Sequence, residues 1–193
     1  ISACLVGSEM CIRDSDGTYR GNPGLKPERA KGWDIGVDQW ILRDALSVEA
    51  TYFDQRITDL IQGAGTTSIN LDGTSSIHGI ELGATAYLMD GLTVRAAYTF
   101  LDGEDADGIT LARRPENVAS LDIGYSFLDG AAALNLGIVY TGGQQDIAFD
   151  AFYNQSRVEL DSYTLVNLAG SYRFNDHAEA FARVENLFDE RYE

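Results

Sequence analysis

The stretch Leu121-Asp122-Ile123-Gly124-Tyr125-Ser126-Phe127-Leu128-Asp129-Gly130-Ala131-Ala132-Ala133-Leu134-Asn135-Leu136-Gly137-Ile138-Val139-Tyr140 holds two alternating runs around a short turn. A β-strand sends successive side chains to opposite faces, so Leu121, Ile123, Tyr125 and Phe127 share one face and Asp122, Gly124 and Ser126 the other. After the turn, Leu134, Leu136, Ile138 and Tyr140 repeat the pattern against Asn135, Gly137 and Thr141. Glycine and β-branched residues inside the runs disfavour a helix, and Asp-Gly suits a tight hairpin turn. The stretch therefore predicts an antiparallel hairpin with one apolar face.

The same period of two recurs on both sides. Leu46, Val48, Ala50 and Tyr52 alternate with Ser47, Glu49 and Thr51, and Ile80, Leu82, Ala84, Ala86 and Leu88 with Glu81, Gly83 and Thr85. Leu92, Val94, Ala96, Tyr98 and Phe100 continue it against Thr93, Arg95 and Thr99. The pattern predicts eight strands, at about 32–42, 45–57, 77–88, 92–102, 117–127, 131–142, 163–174 and 178–187. Short turns at Arg43-Asp44, Met89-Asp90-Gly91, Leu128-Asp129-Gly130 and Asn175-Asp176-His177 alternate with long polar stretches at 58–76, 103–116 and 143–162.

Regular alternation of short and long connections suits a barrel threaded up and down through a membrane, whereas a soluble sandwich mixes loop lengths. Ten residues at about 3.3 Å each, tilted by about 45°, rise some 25 Å, the height of a barrel's apolar band. Trp33, Trp40, Tyr52, Tyr87, Tyr98, Phe100, Tyr125, Phe127, Tyr140, Tyr163, Tyr172 and Phe174 fall mostly near predicted strand ends, as two interfacial girdles require. No apolar run reaches the roughly 18 to 20 residues of a spanning helix.

The chain has 193 residues and a formal net charge of −16, from 14 Lys and Arg against 30 Asp and Glu. Such acidity argues against a nucleic-acid partner, whose phosphates demand clustered Lys and Arg. At 45% hydrophobic residues the chain is not of disordered composition. The acids gather in loops and turns, where divalent cations bridging lipopolysaccharide phosphates have a place to sit, although solubility alone accounts for loop acids.

Both cysteines, Cys4 and Cys11, lie in the first fifteen residues, at a spacing that matches no zinc or redox motif. The segment 1–15 lacks the downstream pattern and resembles a translated adaptor tail, which sets it apart from the fold. Residues 16–31 read as an external loop leading into the first strand, 32–187 as barrel wall, and 188–193 as the start of a last loop before a final strand that the chain does not contain.

Five segments, in order, resemble the TonB-dependent outer-membrane receptors. They are Asn22-Pro23-Gly24-Leu25-Lys26-Pro27-Glu28 with Trp33-Asp34-Ile35-Gly36-Val37; Tyr52-Phe53-Asp54-Gln55-Arg56-Ile57-Thr58-Asp59-Leu60-Ile61; His78-Gly79-Ile80-Glu81-Leu82; Leu111-Ala112-Arg113-Arg114-Pro115; and Val184-Glu185-Asn186-Leu187-Phe188-Asp189-Glu190-Arg191-Tyr192. The resemblance spans about residues 20–193. It implies part of a barrel of about 22 strands in the outer membrane of a Gram-negative bacterium. It also implies a plug domain and a segment contacting the TonB complex, neither of which this piece carries. The implied function is energy-coupled import of a scarce nutrient, with a ferric siderophore foremost and cobalamin next. The alternative is a small eight-stranded barrel serving as a passive or structural outer-membrane protein.

No catalytic constellation accompanies the two histidines, His78 and His177, so an enzyme is not indicated. No cofactor and no metal set is expected. Asp102-Gly103-Glu104-Asp105-Ala106-Asp107-Gly108 lacks the ligand spacing of a calcium loop and reads as a solvated acidic loop. Glu81 and Arg95 read as lumen-lining charges on facing strands. In the loop 147–157, Phe149, Phe152, Tyr153 and Arg157 are the candidate ligand-facing residues, since aromatics and Arg suit planar anionic iron chelates. The competing reading of those four is an aromatic anchor at the membrane surface.

Overall fold

The computed structural model describes residues 20–42, 45–150 and 154–192. Their strands are β1 (Arg29–Ile41), β2 (Leu46–Thr58), β3 (Ile61–Ala64), β4 (Thr67–Asn70), β5 (Thr74–Met89), β6 (Leu92–Glu104), β7 (Asn117–Phe127), β8 (Ala132–Thr141), β9 (Gln144–Phe149), β10 (Gln155–Leu160), β11 (Tyr163–Asn175) and β12 (Ala178–Val184). Eight of them form one antiparallel sheet in the order β1-β2-β5-β6-β7-β8-β11-β12. Each long strand lies beside the next long one in sequence, an up-and-down meander. β1 and β12 stand at opposite edges, so these eight strands do not close on themselves.

The eight expected strands are present, with ends moved by up to three residues. The last stops at Val184 rather than at 187, because Asn186 adopts φ of 50° and the Leu187 N–H turns back to donate to the Val166 carbonyl at 2.8 Å. Two stretches expected as long polar loops contain hairpins of their own, β3–β4 and β9–β10. The turn at Arg43-Asp44 lies outside the described residues.

Register decides which side chains share a face, since directly opposed residues point the same way. One row crosses all eight strands as Ile41, Leu46, Ala86, Val94, Ile123, Leu136, Leu168 and Val184, apolar throughout. The adjacent row on the other face reads Trp40, Ser47, Thr85, Arg95, Asp122, Gly137 and Asn167. Glu81 and Arg95 share that polar side but do not oppose each other. Glu81 faces Thr51 and Thr99, and Arg95 faces Thr85 and Asp122.

The apolar face is left uncovered. Leu82 is 45% exposed and Leu134 48%, although both lie on central strands, and among the described residues only Leu25, Ile57, Ile77, Leu111 and Ala132 are buried hydrophobics. A soluble sandwich would stack such faces against a second sheet. The face is bounded by aromatics: Trp33, Tyr52, Tyr98, Phe100 and Tyr140 at the long-loop end, Tyr125, Phe127, Tyr172 and Phe174 at the short-turn end. Trp33 lies 5.4 Å from Tyr52, Tyr125 5.2 Å from Phe127, and Tyr172 4.9 Å from Phe174, between ring centres. Trp40, Tyr87 and Tyr163 were expected in these girdles, but their register with Ser47, Thr93 and Thr141 turns them to the polar face.

The short turns use left-handed backbone, at Leu42, Leu128 and Asp129 as well as at Gly91 and Gly130, and at Gly91 a side chain would also have no room. Gly91 has φ of +79°, and a Cβ there would lie 1.9 Å from the Ser126 carbonyl oxygen, whose residue also donates its N–H to the Gly91 carbonyl at 2.8 Å.

These faces predict an asymmetric response to charge. Leu136→Arg should destabilise the lipid-embedded barrel by about 2–4 kcal/mol, whereas Asn135→Arg, pointing to the polar side, should cost under about 1 kcal/mol. Urea unfolding in lipid vesicles measures both; equal penalties would contradict the assignment of faces.

Candidate functional site

At the long-loop end, segments distant in sequence fold onto one another. Residues 22–25 form a β-turn in which the Leu25 N–H donates to the Asn22 carbonyl at 3.2 Å, and Gly24 N–H donates to Asn22 Oδ1 at 2.9 Å. Pro23 fits the second turn position, where its fixed φ is already correct. Asn22 Nδ2 donates to the Ser68 carbonyl at 2.9 Å, and Leu25 is buried. Asn70 clamps the following residue, accepting from Lys26 N–H and donating to the Lys26 carbonyl, both at 2.8 Å. Its amide also reaches the Asp59 carbonyl at 2.6 Å, Lys26 Nζ lies 3.9 Å from Asp59, and Pro27 carries the chain on toward β1. Glu28 accepts from Ile61 N–H at 2.7 Å. The motif residues Asn22, Pro23, Leu25, Lys26, Pro27 and Glu28 thus meet the β3–β4 hairpin and its approach.

Near the other end, Asn186 N–H donates to Asn167 Oδ1 and Asn186 Oδ1 accepts from Glu190 N–H, both at 2.9 Å. Arg183 pairs with Glu185, while Leu187 and Phe188 remain exposed. These motif residues shape the chain's departure from β12.

The loop 105–116 folds over the polar face. Leu111 packs with Ile57 and Ile77, and Phe53, Leu60 and Leu101 lie against them. Arg113, at φ of 61°, donates its backbone N–H to the Gln145 carbonyl and its Nε to Asp146 Oδ1, each at 2.7 Å. Arg157 donates to the Thr110 carbonyl at 2.8 Å, and Gln155 Nε2 to the Gly63 carbonyl at 2.9 Å. The acidic loop is held by its own Asp105, whose Oδ1 accepts from Asp107 and Ile109 N–H at 2.9 Å each.

These contacts enclose a cavity of about 370 Å³ bordered by Arg113, Arg114, Arg157, Phe149, Ile61 and Glu28. Three of the chain's 14 basic residues border this one cavity with Phe149, alongside the acids Glu28 and Asp105. Two of the expected ligand-facing residues, Phe149 and Arg157, lie here, while Phe152 and Tyr153 fall outside the described residues. Arg113 and Arg114, read in sequence only as the approach to a strand, are brought in by the Asp146 contact. The partner that brings Arg113 in, Asp146, is one of several acids in the stretch 143–162, beside Asp150, Glu159 and Asp161, and sequence spacing does not pair it with Arg113.

The model described as "TonB dependent receptor-like, beta-barrel" matches residues 13–187. The vitamin B12 transporter BtuB of Vibrio cholerae serotype O1 is 30% identical over 176 residues, covering 90% of this chain and 28% of that protein. The BtuB of Photobacterium profundum is 31% identical over 183 residues, covering 89% and 28%. The chain thus spans under a third of these relatives' length. The ferripyoverdine receptor of the outer membrane of Pseudomonas aeruginosa superposes with a TM-score of 0.74 at 22% identity, covering 92% of this chain and 26% of that one. The copper transporter OprC gives 0.70 at 23% identity, with 92% and 28% covered.

The hydrogen bond from Arg113, with a further one from Ile147 N–H, holds the Asp146 carboxyl below its usual range. A depressed carboxylate stabilises the folded contact above its ordinary pKa and loses that contribution as pH falls through the lowered value. The tie between the two loops should therefore persist through mildly acidic pH and release only below the ordinary carboxylate range. Carboxyl NMR titration checks this: Asp146 should rise toward the ordinary range in Arg113→Gln, the Ile147 N–H bond still holding it somewhat low, and an ordinary value with Arg113 intact would contradict the contact.

Proposed function

Since the chain belongs to the TonB-dependent receptor-like β-barrel family, we propose that it forms part of the wall and outer mouth of an energy-coupled importer in a Gram-negative outer membrane. A wide barrel has a wet lumen, so such an importer needs a plug and, in a membrane without an ion gradient, an energised partner of the TonB type. The relatives named above are transporters and a receptor rather than enzymes.

The ligand this site suits best is a ferric siderophore, taken as an anionic, partly planar metal chelate. The observation that carries this reading is the convergence of Arg113, Arg114 and Arg157 with Phe149 around one cavity on the polar side of the loops. Guanidiniums pair with catecholate or hydroxamate oxygens and stack on flat rings, and Phe149 offers an apolar face. Cobalamin is the second reading, supported by the naming of the BtuB relatives at 30–31% identity. A passive eight-stranded barrel is disfavoured, because it would need β1 paired with β12.

Equilibrium binding to the complete receptor, with a ferric tris-catecholate and with cyanocobalamin as probes, tests the reading. Arg113→Ala, Arg114→Ala and Arg157→Ala together should weaken ferric-chelate binding by about 10- to 100-fold, the scale of one or two lost charge-assisted hydrogen bonds. Binding of cyanocobalamin alone would favour the second reading, and unchanged chelate affinity would remove these arginines from the site.

A further inference from the structure

The three arginines that border the outer cavity are held in different ways. Arg113 is tied to β9 twice, its backbone N–H donating to the Gln145 carbonyl and its Nε to Asp146 Oδ1, each at 2.7 Å. In the β9–β10 hairpin Asp146 stands opposite Val158, whereas Ile147 opposes Arg157 and Phe149 opposes Gln155. Alternation puts Asp146 on the hairpin face away from Phe149 and Arg157, and it is not among the residues that border the cavity. The charge of Arg113 is thus answered from outside the cavity. Arg157 Nη1 instead donates to the Thr110 carbonyl at 2.8 Å, and Arg114 Nη1 to the Ala112 carbonyl at 3.3 Å. Among the described residues neither of these two has a carboxylate within ion-pairing distance. A carboxylate fixes a guanidinium and cancels its charge, while a carbonyl fixes it and leaves the charge and most of its N–H donors available.

The backbone sets Arg114 in advance. Arg113, at φ of 61°, occupies the left-handed region, which a residue with a side chain enters at a cost, and its two bonds to β9 hold it there. Pro115 restricts the residue before it, Arg114, to extended backbone. Arg114 is therefore constrained from both sides, and it is half-buried, where a charge costs free energy until an anion answers it. The acids of the same cavity are spent on backbone donors. Glu28 accepts from Ile61 N–H at 2.7 Å, and Asp105 from Asp107 and Ile109 N–H at 2.9 Å each.

We propose that Arg113 and Asp146 form a positioning pair that presents Arg114 to the cavity, and that Arg114 and Arg157 select a chelate by its negative charge. The division rests on the reading of this cavity as the chelate site and gives its three arginines separate tasks. It favours a multiply anionic complex, such as a ferric tris-catecholate, over an uncharged one, such as a ferric tris-hydroxamate.

Equilibrium binding of those two probes to the complete receptor tests it. Arg114→Gln and Arg157→Gln should each weaken the tris-catecholate by about 10-fold and leave the uncharged complex within about two-fold of the parent. The distant Arg95→Gln, which removes the same charge, should move neither. Arg113→Gln with Asp146→Asn removes one charge of each sign, so any effect on the tris-catecholate comes from lost positioning. This paired variant should weaken the tris-catecholate by about three-fold, and in its background Arg114→Gln should cost about three-fold rather than 10-fold, the coupling of residues that act through one another. Should Arg114→Gln fail the heat-dependent mobility shift of a folded barrel, Arg114→Lys serves, with a loss of about three-fold expected for want of the planar fork. A cost of about 10-fold for Arg114→Gln retained in the paired background, or an equal loss for the uncharged complex, would overturn the division alone. Unchanged affinity for both probes when Arg113, Arg114 and Arg157 are all replaced would remove the cavity as the chelate site and the division with it.

Discussion

Every feature of this chain follows from a strict division between the two sides of one sheet. Hydrocarbon offers no partner to a backbone N–H or C=O, so strands can cross it only when laterally paired, and their outward side chains must be apolar. The row from Ile41 to Val184 meets that demand across eight strands, and the row beside it, with Arg95 and Asp122, meets the opposite demand of water. Burial contributes little here in the ordinary sense: the apolar area that would build a soluble core faces outward.

What conventional core exists sits where the loops begin. Ile57, Ile77 and Leu111 form a small cluster on the polar face, and this turns the loop 105–116 inward over the lumen rather than out into solvent. Hydrogen bonds then join that loop to β9–β10, and β10 to the β3–β4 hairpin. The motif around Asn22–Glu28 fastens the approach to β1 onto the same hairpin through Asn70. Motif residues therefore build much of the frame, and Glu28, with Arg113 and Arg114 of the 111–115 motif, also lines the cavity, together with Phe149 and Arg157 of the tied loop.

The wall was legible because a period of two needs only local sequence, and Asp-Gly turns mark where it reverses. The hairpins β3–β4 and β9–β10 were not, since four to six residues bordered by Gly, Thr and Gln carry too little alternation. Facing was harder than existence: Trp40, Tyr87 and Tyr163 look like girdle residues until register turns them inward. Phe149 and Arg157, two of the four ligand-facing candidates read from the sequence, are among the residues that border the cavity. Arg113 joins it only through a contact to Asp146, 33 positions away.

Spin labels placed singly at residues 118 to 126 along β7, in the complete barrel in lipid, probe the two-sided wall most directly. Collision with oxygen, which concentrates in hydrocarbon, should peak at 119, 121, 123 and 125. Collision with a water-soluble nickel chelate should peak at the positions between. A smooth profile without that alternation, or the opposite phase, would contradict a sheet with lipid on one face and water on the other.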